Sequence, residues 1–91
     1  MVTIKEAALN AMAFARESLG EERTRGLQLE EIESAKEGPA DVWRITLSMA
    51  DSDVIDSVLA LVSGRREYKT FTVAKATGEV LSMRIRELSK A

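Results

Sequence analysis

Residues 66–88 read REYKTFTVAKATGEVLSMRIREL, and two alternating runs joined by a turn within them decide the fold. Glu67, Lys69, Phe71 and Val73 share one parity, and Tyr68, Thr70 and Thr72 the other. Beyond the turn, Leu81, Met83 and Ile85 alternate with Ser82, Arg84 and Arg86. Alternation sends successive side chains to opposite faces, so both arms read as half-buried strands of a hairpin. The connection Ala76-Thr77-Gly78-Glu79 supplies glycine where a type I turn followed by a bulge needs a residue at positive φ.

The same period appears upstream. From Asp41 to Met49, the residues Trp43, Ile45, Leu47 and Met49 alternate with Val42, Arg44, Thr46 and Ser48, which describes a central strand. Trp43 is expected to supply core volume, its indole N–H meeting a backbone acceptor near the strand end. The turn Glu37-Gly38-Pro39-Ala40 separates this strand from an earlier one running from Leu27 to about Ala35. There Leu27 and Leu29 share a parity that Ile32 breaks, so a bulge near Glu30-Glu31 is expected to return Ile32 to the core side. Glu30, Glu31, Glu33 and Glu37 lack the Asn, Asp and Gly of a calcium loop. They read as a solvated edge strand whose charges deter sheet-to-sheet pairing.

From Ile4 to Leu19 the apolar positions Ile4, Ala7, Ala8, Ala11, Met12, Ala15 and Leu19 recur at helical spacing, with Phe14 on the flank. Thr3 and Glu6 have capping-box spacing, and Gly20 suits the residue past the helix end. Small alanine side chains let a helix axis sit close to a sheet, while Ile4, Met12, Phe14 and Leu19 fill the ends and edges of the contact.

The stretch 50–64, ADSDVIDSVLALVSG, joins the second strand to the hairpin. Asp51, Ser52 and Asp53 offer an N-cap and Gly64 a stop, so the leading reading is a short helical insertion from about Asp53 to Val62. A strand is the alternative. Val54, Ile55, Val58, Leu59, Leu61 and Val62 spread over more than one seam. Either this surplus apolar surface is a contact for a partner, or the segment folds back to close one end of the core.

Assembled, these elements give a two-layer α+β domain spanning residues 1–91. An N-terminal helix lies on a four-stranded antiparallel meander sheet whose second face is polar and needs no further layer. Ninety-one residues suffice for one domain of modest stability. With no Cys and no His, a disulfide framework, a thiolate nucleophile, a Cys-based zinc site and a histidine base are excluded. No metal or other cofactor is expected. A net charge of −2 gives no global attraction for nucleic acid. No run is long enough to span a membrane, and a basic region followed by an apolar one is missing at the start, so a cytoplasmic location is expected.

The succession of a helix, Trp43-Arg44-Ile45-Thr46, then Tyr68-Lys69-Thr70-Phe71-Thr72-Val73 leading into Thr77-Gly78-Glu79-Val80-Leu81, resembles the PepSY-like domains. Their usual end motif is an aromatic strand, Val-Asp-Ala-x-Thr-Gly-Glu-Val, and a final strand. This chain departs from it at Ala74, where the family commonly has Asp, and in the long connection after Met49. The resemblance implies a cystatin-like helix-on-sheet fold and a non-catalytic binding or inhibitory role, often proposed to act on peptidases.

The function expected is therefore a non-catalytic protein-binding or regulatory module, self-associating as a homodimer or meeting another protein. The contact residues are Val54, Ile55, Val58, Leu59, Leu61, Val62, Arg65 and Arg66, with an open sheet edge as a further contact. No small-molecule substrate is evident. One alternative is a small cone-fold enzyme with a buried Asp or Glu as base between helix and sheet. Another is single-stranded nucleic-acid binding by Arg44, Arg84, Arg86 and Tyr68 on the polar face. Arginines facing acidic residues on neighbouring strands argue against the latter.

Overall fold

The computed structural model describes residues 1–50 and 66–86. It contains α1 (Ile4–Leu19), β1 (Gln28–Glu37), β2 (Ala40–Ala50), β3 (Arg66–Ala74) and β4 (Val80–Ile85). The strands form one sheet in the order β1-β2-β3-β4, each neighbour antiparallel. With α1 across one face, this is the two-layer α+β meander that the alternation and the alanine stripe predict. The expected insertion over 53–62 lies outside the described residues.

The helix begins where its capping box dictates. The Thr3 amide donates to Glu6 Oε1 at 2.8 Å and the Glu6 amide donates to Thr3 Oγ1 at 3.1 Å, satisfying two amides that a helix start leaves unpaired. At the other end the Gly20 amide donates to Arg16 O at 2.9 Å. Ala7, Ala11 and Ala15 are fully buried against Ile45, Leu47, Phe71 and Val73. Phe14 meets Phe71 edge-on, their ring centroids 6.2 Å apart, in the arrangement that aromatic quadrupoles favour. Met12 and Met83 pack at the margins of this cluster. Ile4 departs from expectation: it stands exposed at the first helical turn, while Val2 before the helix packs against the core cluster.

Both hairpins obey the sequence signals. The bulge in β1 falls between Leu29 and Glu31, which pair with Leu47 and Thr46. The extra residue restores parity, so Leu29 and Ile32 share the face of Leu47 and Ile45 while Glu31 and Glu33 join the polar face. Gly38 and Pro39 connect β1 to β2 with Gly38 at φ +60, as the first position of a tight primed turn requires. Gly78 sits at φ +84. Its amide donates to Ala74 O at 2.8 Å and the Ala74 amide donates to Glu79 O at 2.9 Å, closing the turn before β4. A bulge in β4 then sets Val80 opposite Val73 and Ser82 opposite Thr72, with Leu81 as the extra residue.

The helix and the segments flanking it are tied to the rest of the chain by hydrogen bonds. The Val2 amide donates to Lys75 O at 2.8 Å, and Asn10 Nδ2 donates to Gly78 O at 3.0 Å. After the helix, the Ala50 amide donates to Arg25 O at 2.8 Å. Trp43 corrects an expectation, because its buried Nε1 has no hydrogen-bond partner among the described residues. The residue is engaged through its ring face instead, with Lys75 Nζ 4.2 Å from the centroid.

Gly78 is the most demanding position in this scaffold: a Cβ there would approach Asn10 Nδ2 to 2.8 Å and Val2 Cγ1 to 2.9 Å. Gly78→Val is expected to destabilise by about 2 kcal/mol or more in urea unfolding, from positive-φ strain plus collision. Gly38→Ala, where no atom lies within 4 Å, retains only the strain and should cost less. Ala11→Leu should cost about 1–3 kcal/mol by overpacking the helix-to-sheet contact, read in the same titration.

Candidate functional site

Of the residues expected to bind a partner, Val54, Ile55, Val58, Leu59, Leu61, Val62 and Arg65 lie outside the described residues. Arg66 is described, and its guanidinium is engaged within the chain. Nε donates to Ser48 Oγ at 2.8 Å, and Nη2 donates to Ser48 O at 3.2 Å and to Gly26 O. Arg66 therefore joins the start of β3 to β2 and to the residues entering β1.

Arg66 opens a network that runs over the polar face. Ser48 Oγ donates a hydrogen bond to Glu30 Oε2 at 2.6 Å, and Gln28 Nε2 donates to the same oxygen at 2.7 Å. Further along, Arg86 Nη1 lies 2.6 Å from Glu31 Oε1 and 2.9 Å from Thr46 Oγ1, which itself meets Thr70 Oγ1 at 3.3 Å. Arg44 Nη2 donates to Glu37 Oε2 at 2.7 Å. Arginines from β2 and the end of β4 thus reach glutamates of β1, Arg66 of β3 meets Glu30 only through Ser48, and the hydroxyls of Thr46, Ser48 and Thr72 are buried. The polar face covers itself with its own side chains. The hydrogen bond from Gln28, then that from Ser48 and the charge of Arg66, hold Glu30 below the usual carboxylate range. Arg44 does the same for Glu37 through a hydrogen bond and its charge, and Lys36 for Asp41.

On the helix-bearing face, one charge is buried among the described residues. Lys69, opposite Leu47 and Ile85 in the ladder, is 7% exposed, with its ammonium 3.8 Å from Glu67. Glu67 also receives Arg23 at 3.5 Å. The alternation places Lys69 on this side; burial of its head beside a carboxylate emerges only in three dimensions. No group of His, Cys, Asp and Glu among the described residues gathers as metal ligands would, and no helix among them is long and apolar enough to cross a membrane.

The remaining surface feature is the β4 edge. Leu81 and Ile85 were expected in the buried row with Met83, yet Leu81 is 48% and Ile85 75% exposed. The reason is width: a helix about 10 Å across covers roughly two strands spaced near 4.8 Å. α1 lies over the buried residues of β2 and β3, which leaves the fourth strand at the rim. Main-chain geometry completes the edge. The Arg86 amide donates to Tyr68 O at 2.9 Å, so by antiparallel alternation Ser82, Arg84 and Arg86 turn their backbone groups toward β3. Met83 and Ile85 turn theirs outward. Among the described residues no strand lies beyond β4. The opposite edge differs sharply, since β1 carries Glu30, Glu31, Glu33, Lys36 and Glu37 whereas β4 carries Arg84 alone.

Searches of protein-family models, curated proteins and solved structures returned no match to this chain.

The carboxylate pairs make stability pH-dependent in a defined direction. Groups held below the usual carboxylate range contribute fully above that range, and the contribution is lost as pH falls through their lowered folded-state values. The melting temperature should be level from about pH 7 to 5 and decline below about pH 4, followed by circular dichroism. Glu30→Gln with Glu37→Gln should flatten the acid limb. An acid limb unchanged in that double variant would remove the role given to these two pairs.

Proposed function

We propose that this chain is a non-catalytic protein-binding module that takes up an extended strand along β4, with the aliphatic segment 53–62 adding to the contact. The observation carrying this reading is the β4 rim, where outward-facing backbone groups of Met83 and Ile85 run beside exposed Leu81 and Ile85. Unpaired ladder groups attract another strand, and apolar side chains beside them reward its arrival. The resemblance of Trp43-Arg44-Ile45-Thr46 and Thr77-Gly78-Glu79-Val80-Leu81 to PepSY-like domains points the same way, toward a binding or inhibitory role. A single layer of helix on a sheet whose β4 edge is open among the described residues is well suited to it.

Selection of displayed random peptides on the immobilised chain tests this reading. Enriched peptides should alternate apolar with polar residues, and their addition should shift the amide resonances of Val80 to Ile85 in a labelled sample. Leu81→Lys should weaken capture by about tenfold, the scale of one well-packed apolar contact. Leu59→Asp with Val62→Asp should weaken it further if segment 53–62 takes part. Peptides that enrich without alternation, or that shift only resonances of β1 or the polar face, would overturn the reading.

A further inference from the structure

The geometry of the β4 edge points to its occupant: we propose that a second copy of this chain pairs its own β4 with β4, antiparallel and centred on Met83, so that two sheets become one. The inference rests on the reading of β4 as the binding edge and names its partner. Three observations select it.

First, the outward backbone groups recur at the right residues. With Met83 opposite Met83 of the second copy, both residues are of the outward-facing kind. They exchange a pair of amide-to-carbonyl bonds across the two-fold axis. Second, this register matches side chains. Leu81 falls beside Ile85 of the second copy, covering the most exposed apolar side chains of the strand, and Ser82 falls beside Arg84 of the second copy on the polar side. Shifting the centre to Arg84 would set the two guanidinium groups directly opposite each other, and like charges in cross-strand positions repel. Shifting it to Ser82 would strand Ile85 opposite Glu79 of the second copy.

Third, charge decides between the two edges. Head-to-tail addition of β4 to β1 of another copy would draw on the attraction of Arg84 for glutamates. Of the four in β1, three are already engaged inside the chain, Glu37 by Arg44, Glu31 by Arg86 and Glu30 by Ser48 and Gln28. The bulge between Leu29 and Glu31 further interrupts the regular ladder there. Self-pairing of β4 does not draw on those glutamates, its own bulge at Leu81 falls at the end of the paired residues and not at their centre, and it closes as a dimer, where head-to-tail addition would run on as a filament.

The full 91-residue chain tests this by sedimentation velocity over a wide concentration range. A monomer–dimer equilibrium is expected. Ile85→Pro removes an outward-facing donor and leaves the β3 ladder untouched; it should raise the dimer dissociation constant by about tenfold or more with little change in melting temperature. Because the chain has no cysteine, Met83→Cys reports the register: it should oxidise to a covalent dimer, and Gln28→Cys on β1 should not. Association unaffected by Ile85→Pro, or cross-linking through Gln28→Cys alone, would overturn the proposal. A chain that stays monomeric while displayed peptides still shift the β4 amides would refute self-pairing and leave the binding edge standing. Loss of both responses would refute the two together.

Discussion

The close approach of an alanine-faced helix to the middle of the sheet governs the arrangement of everything else. Ala7, Ala11 and Ala15 are fully buried against Ile45, Leu47, Phe71 and Val73, and only side chains this small let the two layers meet at close-packed density without displacing the β2 and β3 residues beneath. A helix seated there is narrow relative to four strands. Both outer strands must then be accommodated by other means, and the two are treated differently. β1 uses a bulge to bring Leu29 and Ile32 to the helix side while turning its glutamates to the far face. β4 uses its bulge to place Val80 against Val73, and leaves Leu81 and Ile85 at the rim.

The far face shows how a sheet manages without a second layer. Arginines at 44, 66 and 86 lie over buried threonine and serine hydroxyls and end on acceptors of β1, β2 or the segment before β1. Individually, ion pairs this exposed contribute little to stability because solvent screens them, so their sum does not explain the fold. Their effect is positional. They pair Glu37 and Glu31 of the acidic strand with cations of the same face, which leaves Arg44 and Arg86 already engaged and less able to meet a polyanion.

Much of this was legible in the sequence because it follows from period and local geometry. The capping box at Thr3 and Glu6, the parity break that demanded a bulge near Glu30, and the positive-φ glycine before β4 each involve residues close in the chain. What escaped depends on distances no local pattern encodes. The spacing of Ile4 and the parity of Ile85 are those of core residues, but both stand exposed, Ile85 on the strand at the rim of the helix contact. Trp43 lies on the expected face, yet its indole N–H has no partner among the described residues, and Lys75, which takes its ring face, stands across the sheet rather than along the strand. Arg66 resembled a free cation beside an apolar segment. The carbonyl of Gly26 that binds it is distant in sequence and became a neighbour only through the meander.

The contrast between the edges also narrows what β4 can accept. The outward amide and carbonyl groups of Met83 and Ile85 have no strand beyond them among the described residues, and burying such groups beneath a helix or loop would cost more than the apolar contacts return, unless new acceptors and donors arrive with the covering group. An extended backbone brings both at the correct spacing. The side-chain rows add a second condition, because the partner must be apolar toward Leu81, Met83 and Ile85 and small, polar or acidic toward Ser82 and Arg84. Few surfaces meet the backbone and both rows at once. The strand itself does so when reversed, since its serine then falls beside its arginine and its leucine beside its isoleucine. That self-complementarity arises from the order of the residues from Leu81 to Ile85 and requires no movement of the layers behind it.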